Sequence, residues 1–222
     1  MYNIGVKNAL NNIYQLLFKE FGNRHWWPAD TRDEIIIGAI LTQNVSWRNV
    51  KIAIDNLKSE NLLNLKSIHQ ADISSIAPLI KPTRFYNVKA RRLKNFTDYM
   101  FGKYSGNLDD TFNQSYVALR EELLGVKGLG AETVDSILLY AGGKLTFVVD
   151  AYTMRILPRL GIGNDKWKYT DYQKVFMENI KPDLELYKDF HAQIVHLGNL
   201  ICKGKNPICE DCPLKTTCKF RK

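Results

Sequence analysis

Apolar residues in this chain return every three or four positions almost from end to end, and that rhythm constrains the fold more than any other feature. "NALNNIYQLLFKEFG" puts Leu10, Ile13, Leu17 and Phe21 on one helix face. The same period runs through "ADTRDEIIIGAILTQNVSWRNVKIAIDNLKSE", where Thr31 and Asp33 supply a capping region and Thr42–Asn44 a polar break. "LLNLKSIHQADISSIAPLI" and "VKARRLKNFTDYMFGKY" read as further helices joined by a turn at Pro82, and "DDTFNQSYVALREELLGV" as one capped helix. "AYTMRILPRLG", "TDYQKVFMENI" and "LYKDFHAQIVHLGNLIC" continue the pattern. The one good strand candidate is "LTFVVD", residues 145–150. The pattern therefore predicts an all-α fold of roughly ten or more helices. There is no repeat, low-complexity stretch or Ser/Gly linker, so any two-lobed arrangement should be intimate.

Charge narrows the partners. The chain carries 31 Lys+Arg against 23 Asp+Glu, a formal charge of +8. A basic surface draws polyanions, whether nucleic acid, anionic lipid or acidic protein. The surplus is uneven: "KPTRFYNVKARRLK", residues 81–94, holds six basic residues and no acid, and the last 21 residues hold six more against Glu210 and Asp211. No apolar run approaches the roughly 20 residues needed to span a bilayer. "MYNIGVKNALNN" lacks the basic start and apolar stretch of a signal peptide. The expectation is a protein of the cell interior, cytoplasmic and without a membrane partner.

All four cysteines fall at the end of the chain: Cys202, Cys209, Cys212 and Cys218, spaced C-x6-C-x2-C-x5-C. In an intracellular chain such a cluster points to a metal site before disulfides. Four thiolates suit zinc or an iron–sulfur cluster. Zinc sites usually pair two short knuckles; here only one pair is close, and the longer gaps suit a wider cluster.

"GVKGLGAETVDSILLYAGG" packs Gly125, Gly128 and Gly130 into six residues between two helical patterns. Such a turn can aim backbone N–H groups outward, with a helix N-terminus beside them, and bind phosphate regardless of base sequence. Val126 and Leu129 would anchor it, and the glycines would let another backbone come close. The plainer alternative is an αα-hairpin whose glycines only turn the chain. Asp150 ends the apolar run and precedes a helix. It reads as an N-cap to the amide near Thr153, and also as a partly desolvated carboxylate able to stabilise a sugar cation or activate water.

Hairpin, "VVD" and cysteine spacing occur together, and in this order the chain resembles the helix-hairpin-helix DNA glycosylases of the endonuclease III superfamily. The likeness covers about residue 10 to Cys218. It implies a two-lobed fold: a six-helix barrel over 31–145, with the helix-hairpin-helix at about 118–142, and a second lobe from 1–30 and 146–222. DNA would bind across the cleft, as double-stranded DNA containing damaged bases bound by a monomer. The cysteines would hold a [4Fe–4S] cluster, and hairpin carbonyls near Val126–Gly130 a monovalent cation, sodium or potassium. Asp150 would be the catalytic aspartate, with Gly128, Gly130 and Lys127 on the DNA backbone. "ILTQNVSW" is similar to the loop that fills the gap left by an extruded base, which points to Gln43. "RFYNVKA" is similar to the segment that wedges the opposite strand, which points to Phe85. Read without the resemblance, Gln43 is part of a capped loop and Phe85 a core aromatic.

In bifunctional members of that family, a lysine two residues after the second hairpin glycine attacks C1′ and forms a Schiff base. Here Gly130-Ala131-Glu132 puts a carboxylate there, which cannot form an imine. Lys127 and Lys144 are close in sequence but at the wrong offsets. "HWWPAD", "GAILTQNVSW" and Glu132 together look like the 3-methyladenine DNA glycosylase III branch. Trp26, Trp27 and Pro28, with Glu132, would then line the base pocket, because electron-rich rings stack on a cationic alkylated purine. Two tryptophans anchoring a segment on the core is the structural alternative. The expected activity is monofunctional excision of alkylated purines. The competitors are a bifunctional endonuclease III-type enzyme on oxidised pyrimidines and a non-catalytic DNA-binding protein.

Overall fold

The computed structural model describes residues 4–220, and helices account for most of them. By contacts the chain divides into two compact units, Trp27–Lys144 and Met1–Trp26 with Leu145–Lys222. Helix α1 (Ile4–Phe21) belongs to the second of these.

The Trp27–Lys144 unit is built around α2 (Arg32–Leu41), whose residues Ile36 to Leu41 are all buried. A helix apolar on every side belongs in the centre of a core, and "IIIGAIL" is such a sequence. Thr31 caps it: the hydroxyl oxygen accepts a 3.1 Å hydrogen bond from the Glu34 amide. Around α2 lie α3 (Trp47–Ser59), α4 (Leu65–Gln70), α5 (Ile73–Leu79), a 3₁₀ turn at Lys81–Thr83, and α6 (Tyr86–Tyr104). Then follow α7 (Leu108–Asn113), α8 (Tyr116–Leu124) and α9 (Ala131–Ser136), which runs on into a π-helical turn at Ile137–Ala141. One hydrophobic core joins them, with Ile37, Leu57, Leu93, Phe96 and Ile137 almost wholly buried.

Two stretches expected to be single helices are each two. "DDTFNQSYVALREELLGV" breaks at Gln114, whose backbone is extended, and Ser115 caps α8 by accepting from the Ala118 amide at 3.3 Å. "LLNLKSIHQADISSIAPLI" breaks at Ala71–Asp72, with Asn64 capping α4 through the Ser67 amide at 2.7 Å. At Ser115 a short polar side chain competes for backbone amides and restarts the helix, whereas α5 starts after Asp72 with no side-chain cap bond.

In the other unit α1 packs on α11 (Tyr169–Asn179) and α12 (Leu184–Leu200), while α10 (Ala151–Arg159) lies along α12. Phe147 stacks on Phe176 with ring centroids 3.7 Å apart, and Tyr187 and Phe190 meet it edge-on. Each such side chain contributes roughly 1.5–3 kcal/mol by leaving water. The strand candidate forms no strand among the described residues. "LTFVVD" is extended, but side chains take the place of a partner strand. Gln173 Nε2 donates to Phe147 O at 2.8 Å and to Thr146 Oγ1 at 3.1 Å, and the Val149 amide donates to Tyr169 Oη at 3.4 Å. Buried backbone needs partners, not necessarily a sheet.

Candidate functional site

The hairpin between α8 and α9 is held from inside. Val126 and Leu129, each 7% exposed, sink into the core on either side of Lys127, which is exposed. Gly128 and Gly130 differ in what they require. Gly128 has φ +100°, and a Cβ there would lie 2.5 Å from Arg92 Cγ. Gly130 has φ −100°, which any residue adopts, and a Cβ there would meet nothing within 4 Å. The first glycine is needed by the fold itself. The second leaves the surface bare.

Gln43, in the loop after α2, reaches the same hairpin. Its Nε2 donates to Thr133 Oγ1 at 2.8 Å and to Gly128 O at 3.3 Å, and its Oε1 accepts from Arg92 Nη1. Asn95 Nδ2 donates to Lys127 O at 2.9 Å, and the Leu129 amide to Val126 O at 3.1 Å. Glu132 stands exposed on the first turn of α9, where a carboxylate is favoured by the helix dipole.

Phe85 is not a core aromatic. It is 72% exposed and follows the 3₁₀ turn on two consecutive left-handed residues, Arg84 at φ +57° and Phe85 at φ +43°. Each costs about 1–2 kcal/mol for a residue with a side chain. Beneath this tip Lys89, 1% exposed, donates to Leu41 O at 2.8 Å and Thr83 O at 2.6 Å, tying the end of α2 to the turn that carries Phe85. Burial, with Arg92 adding a smaller repulsion, lowers the Lys89 amine from 10.5 to about 8.

The tryptophans separate. Trp27 is half-buried on the core of the Trp27–Lys144 unit, edge-on to Trp47 at 5.4 Å and to Tyr140 at 5.3 Å. Its indole fills the space beside Gly38, where a Cβ would sit 3.2 Å from Nε1. Trp26 belongs to the other unit, and Pro28 is exposed.

Asp150 is the N-cap of α10 and only 7% exposed. Its Oδ1 accepts from the Thr153 amide at 2.7 Å and from Thr153 Oγ1 at 2.9 Å. Its Oδ2 lies 3.8 Å from Nε2 of His191, a buried residue of α12. Burial lowers the His191 pKa and Asp150 pulls it the other way. Capping and charge thus fall to different oxygens of one carboxylate.

Cys202, Cys209, Cys212 and Cys218 line a single cavity of about 270 Å³, walled also by Ile201, Ile208 and Phe220. All four are free thiols. Among the described residues no three His, Cys, Asp or Glu side chains gather as a single metal ion would require. Arg159 braces the loop: Nη1 donates to Cys202 Sγ at 3.2 Å and to Lys203 O at 2.9 Å, and its own carbonyl accepts from the Lys219 and Phe220 amides. The Cys212 thiol is pushed up by burial, and the three neighbouring sulfurs add to the shift.

Residues 37–182 match the model of the HhH-GPD superfamily base excision DNA repair proteins. The chain belongs to that family. A Methanocaldococcus jannaschii protein described as a DNA repair glycosylase is 47% identical over 93% of this chain and 94% of its own length. Endonuclease III of Sulfolobus acidocaldarius is 29% identical over 83% of this chain and 80% of its own. Among solved structures, the Helicobacter pylori 3-methyladenine DNA glycosylase bound to 1,N6-ethenoadenine has a TM-score of 0.75 and 31% identity, covering 86% of this chain and 96% of that one. An endonuclease III–DNA covalent intermediate has a TM-score of 0.82 at 21% identity, covering 96% and 95%, a likeness of fold. The protein is a DNA repair glycosylase of the helix-hairpin-helix, endonuclease III superfamily, and no helix among the described residues is long and apolar enough to cross a membrane.

Within this glycosylase the structure brings Gln43 to Gly128, and adds residues that sequence reading passed over. Lys89, Arg92 and Lys94 belong to the basic stretch 81–94, yet Lys89 is buried and the other two are half-buried and hydrogen-bonded within the protein, Lys94 to the His69 carbonyl. Of the cations in that stretch only Lys81, Arg84 and Arg91 are left exposed. The signal was there in part: Lys89 sits four residues before Leu93 and one before Ala90, on the apolar face of α6. His191 carried no signal, because its neighbour Asp150 is 41 positions away in sequence.

Proposed function

We propose that this glycosylase is monofunctional and removes alkylated purines, of the 3-methyladenine kind, from double-stranded DNA. The observation that carries the reading is Glu132, a carboxylate on the first turn of α9 where a Schiff-base lysine would stand. Without that amine the enzyme hydrolyses. The C1′–N bond breaks with its electron pair leaving on the base, which departs neutral because alkylation had made it cationic. The sugar cation left at C1′ faces the Asp150 carboxylate; water then adds to C1′ and gives up its proton to that carboxylate or to solvent. Little general acid is needed, so one aspartate suffices.

Other features support the parts. The open space at Gly130 suits approach of a DNA backbone, with Gly128 and Lys127 beside it. The second lone pairs of the hairpin carbonyls suit a sodium or potassium ion. Phe85, exposed on strained backbone, suits a wedge, and strain of this kind collects at working sites. Gln43 would enter the gap left by the flipped base by exchanging its bonds to Thr133 and Gly128. Trp27 with Trp47, and Trp26 and Pro28 beside them in sequence, are the aromatic and apolar candidates for the alkylated base; the 31% identity to a 3-methyladenine DNA glycosylase favours this class. The four cysteines would hold a [4Fe–4S] cluster, since their cavity is wide and a single zinc needs sulfurs about 2.3 Å away. That cluster would supply a rigid core for the basic loop. The enzyme would act as a monomer in the cytoplasm of a bacterial or archaeal cell.

The test is base release from duplex DNA carrying methylated purines, with each sample read before and after hot alkali. The expected result is free methyladenine, with strand breaks appearing only after alkali. Breaks without alkali would instead indicate a bifunctional enzyme and overturn the role given to Glu132.

A further inference from the structure

The two oxygens of Asp150 are held unequally, and the difference points to a residue of α12. Oδ1 is fixed by two donors from Thr153. Oδ2 faces Nε2 of His191 at 3.8 Å, just beyond hydrogen-bond length, and both residues are buried. Catalytic hydrogen bonds are often loose without substrate and tighten in the complex. Movement of less than about 1 Å would close this one.

We infer that His191 is a positioning residue for Asp150: its Nε2–H donates to Oδ2 and fixes the carboxylate's rotation in a buried place. The inference rests on Asp150 being the carboxylate that serves C1′. The surroundings of His191 make it specific. Asp150 is the charge that bears on it. From α10, Arg155 is engaged with the Gly198 and Cys202 carbonyls and lies over the Tyr152 ring. From α1, Tyr14 donates to Asp189, which also accepts from the Arg24 amide and from Gln193. On α12 itself Lys188 pairs with Glu185. Burial lowers its pKa and so favours the neutral imidazole, which can orient the carboxylate without cancelling its charge.

The test compares His191→Phe, His191→Gln and Asp150→Asn on methylated duplex DNA under single-turnover conditions across pH. Phenylalanine keeps the bulk and removes the donor. Its single-turnover rate constant should fall about 10- to 100-fold, the size of one charge-assisted hydrogen bond, and the acid limb of the profile should move to higher pH. Glutamine keeps an N–H and should recover most of the rate and the original limb. Affinity for abasic duplex should not change in either. A purely structural role would lower the active fraction of both variants and leave the limb in place, and that result overturns the inference. If Phe fails to fold, the Gln variant decides: a rate and limb close to wild type support the inference, and a large loss with an unmoved limb overturns it. Should Asp150→Asn itself retain excision, the functional reading fails instead. Loss in Asp150→Asn with a wild-type rate and profile in His191→Phe sinks only the role of His191.

Discussion

The two hairpin glycines should respond in opposite ways to the same methyl group. Gly128→Ala places a side chain at φ +100°, a cost of about 1–2 kcal/mol. It also drives a Cβ to 2.5 Å from Arg92 Cγ. Arg92 can move only by weakening its bond to Gln43, which adds about 0.5–1.5 kcal/mol. The total, about 1.5–3.5 kcal/mol, should lower the melting temperature by about 3–14 °C for a chain of this size. Gly130→Ala keeps an ordinary φ and meets nothing within 4 Å. Alanine is a poorer N-cap than glycine by up to about 1 kcal/mol, but it stiffens the unfolded chain by about 0.4–1 kcal/mol. The terms nearly cancel, so the melting temperature should hold.

Binding should reverse the ranking of cause. If the open space at Gly130 is where DNA comes close, a methyl there should weaken binding at least about tenfold, or about 1.4 kcal/mol, in a fully folded protein. Thermal melting of both variants, with fluorescence anisotropy on a duplex holding an abasic analogue, separates the two. A Gly130→Ala protein that melts normally and binds like wild type would refute the argument that this surface is bare for DNA.

Lys89→Met should remove a specific piece of pH dependence. The unfolded lysine holds its proton to about pH 10.5 and the folded one to about 8, so the unfolded chain binds the extra proton across that window and this residue's contribution to stability rises with pH through it. The difference between wild-type and variant denaturation curves, taken from about pH 7 to about pH 11 (~4 units, spanning that window), should show this rise, and a flat difference would count against a lowered pKa. For the cysteine loop, protein made with iron should carry iron and acid-labile sulfide in equal amounts and no zinc. Chelation under oxidising conditions, or Cys212→Ser, should loosen residues 201–220 first, read by faster amide exchange there; zinc at one per chain without sulfide would contradict the cluster.

Much of the fold was legible because helix periodicity is a local property. α1, α2, α6 and α12 were visible in their apolar spacing, and Thr31 in its capping position. What escaped was settled by partners distant in sequence. "LTFVVD" had a strand's composition, but Gln173 and Tyr169 satisfied its backbone, so no sheet was needed. Ser115 restarted a helix inside a continuous apolar pattern, because capping competes with propagation at a cost too small to change the pattern.

The candidate site divides the same way. Cysteine spacing, the glycine turn and the position of Glu132 are short-range features, readable residue by residue. Where a charge goes is not. The run "KPTRFYNVKARRLK" looked like a uniform basic face, yet half of its cations are tied by hydrogen bonds to the protein itself, Lys89 buried and Arg92 and Lys94 half-buried. A buried ammonium must be satisfied by acceptors or lose its proton, and Lys89 does some of each, with two carbonyls and a lowered pKa. Those carbonyls belong to the end of α2 and to the turn before Phe85, so the residue counted as surface charge is the strut between the loops carrying Gln43 and Phe85. Net charge therefore predicted the class of partner through residues that, in part, never meet it. Lys81, Arg84 and Arg91 remain exposed, while Lys89, Arg92 and Lys94 spend their hydrogen bonds on holding the shape of that surface.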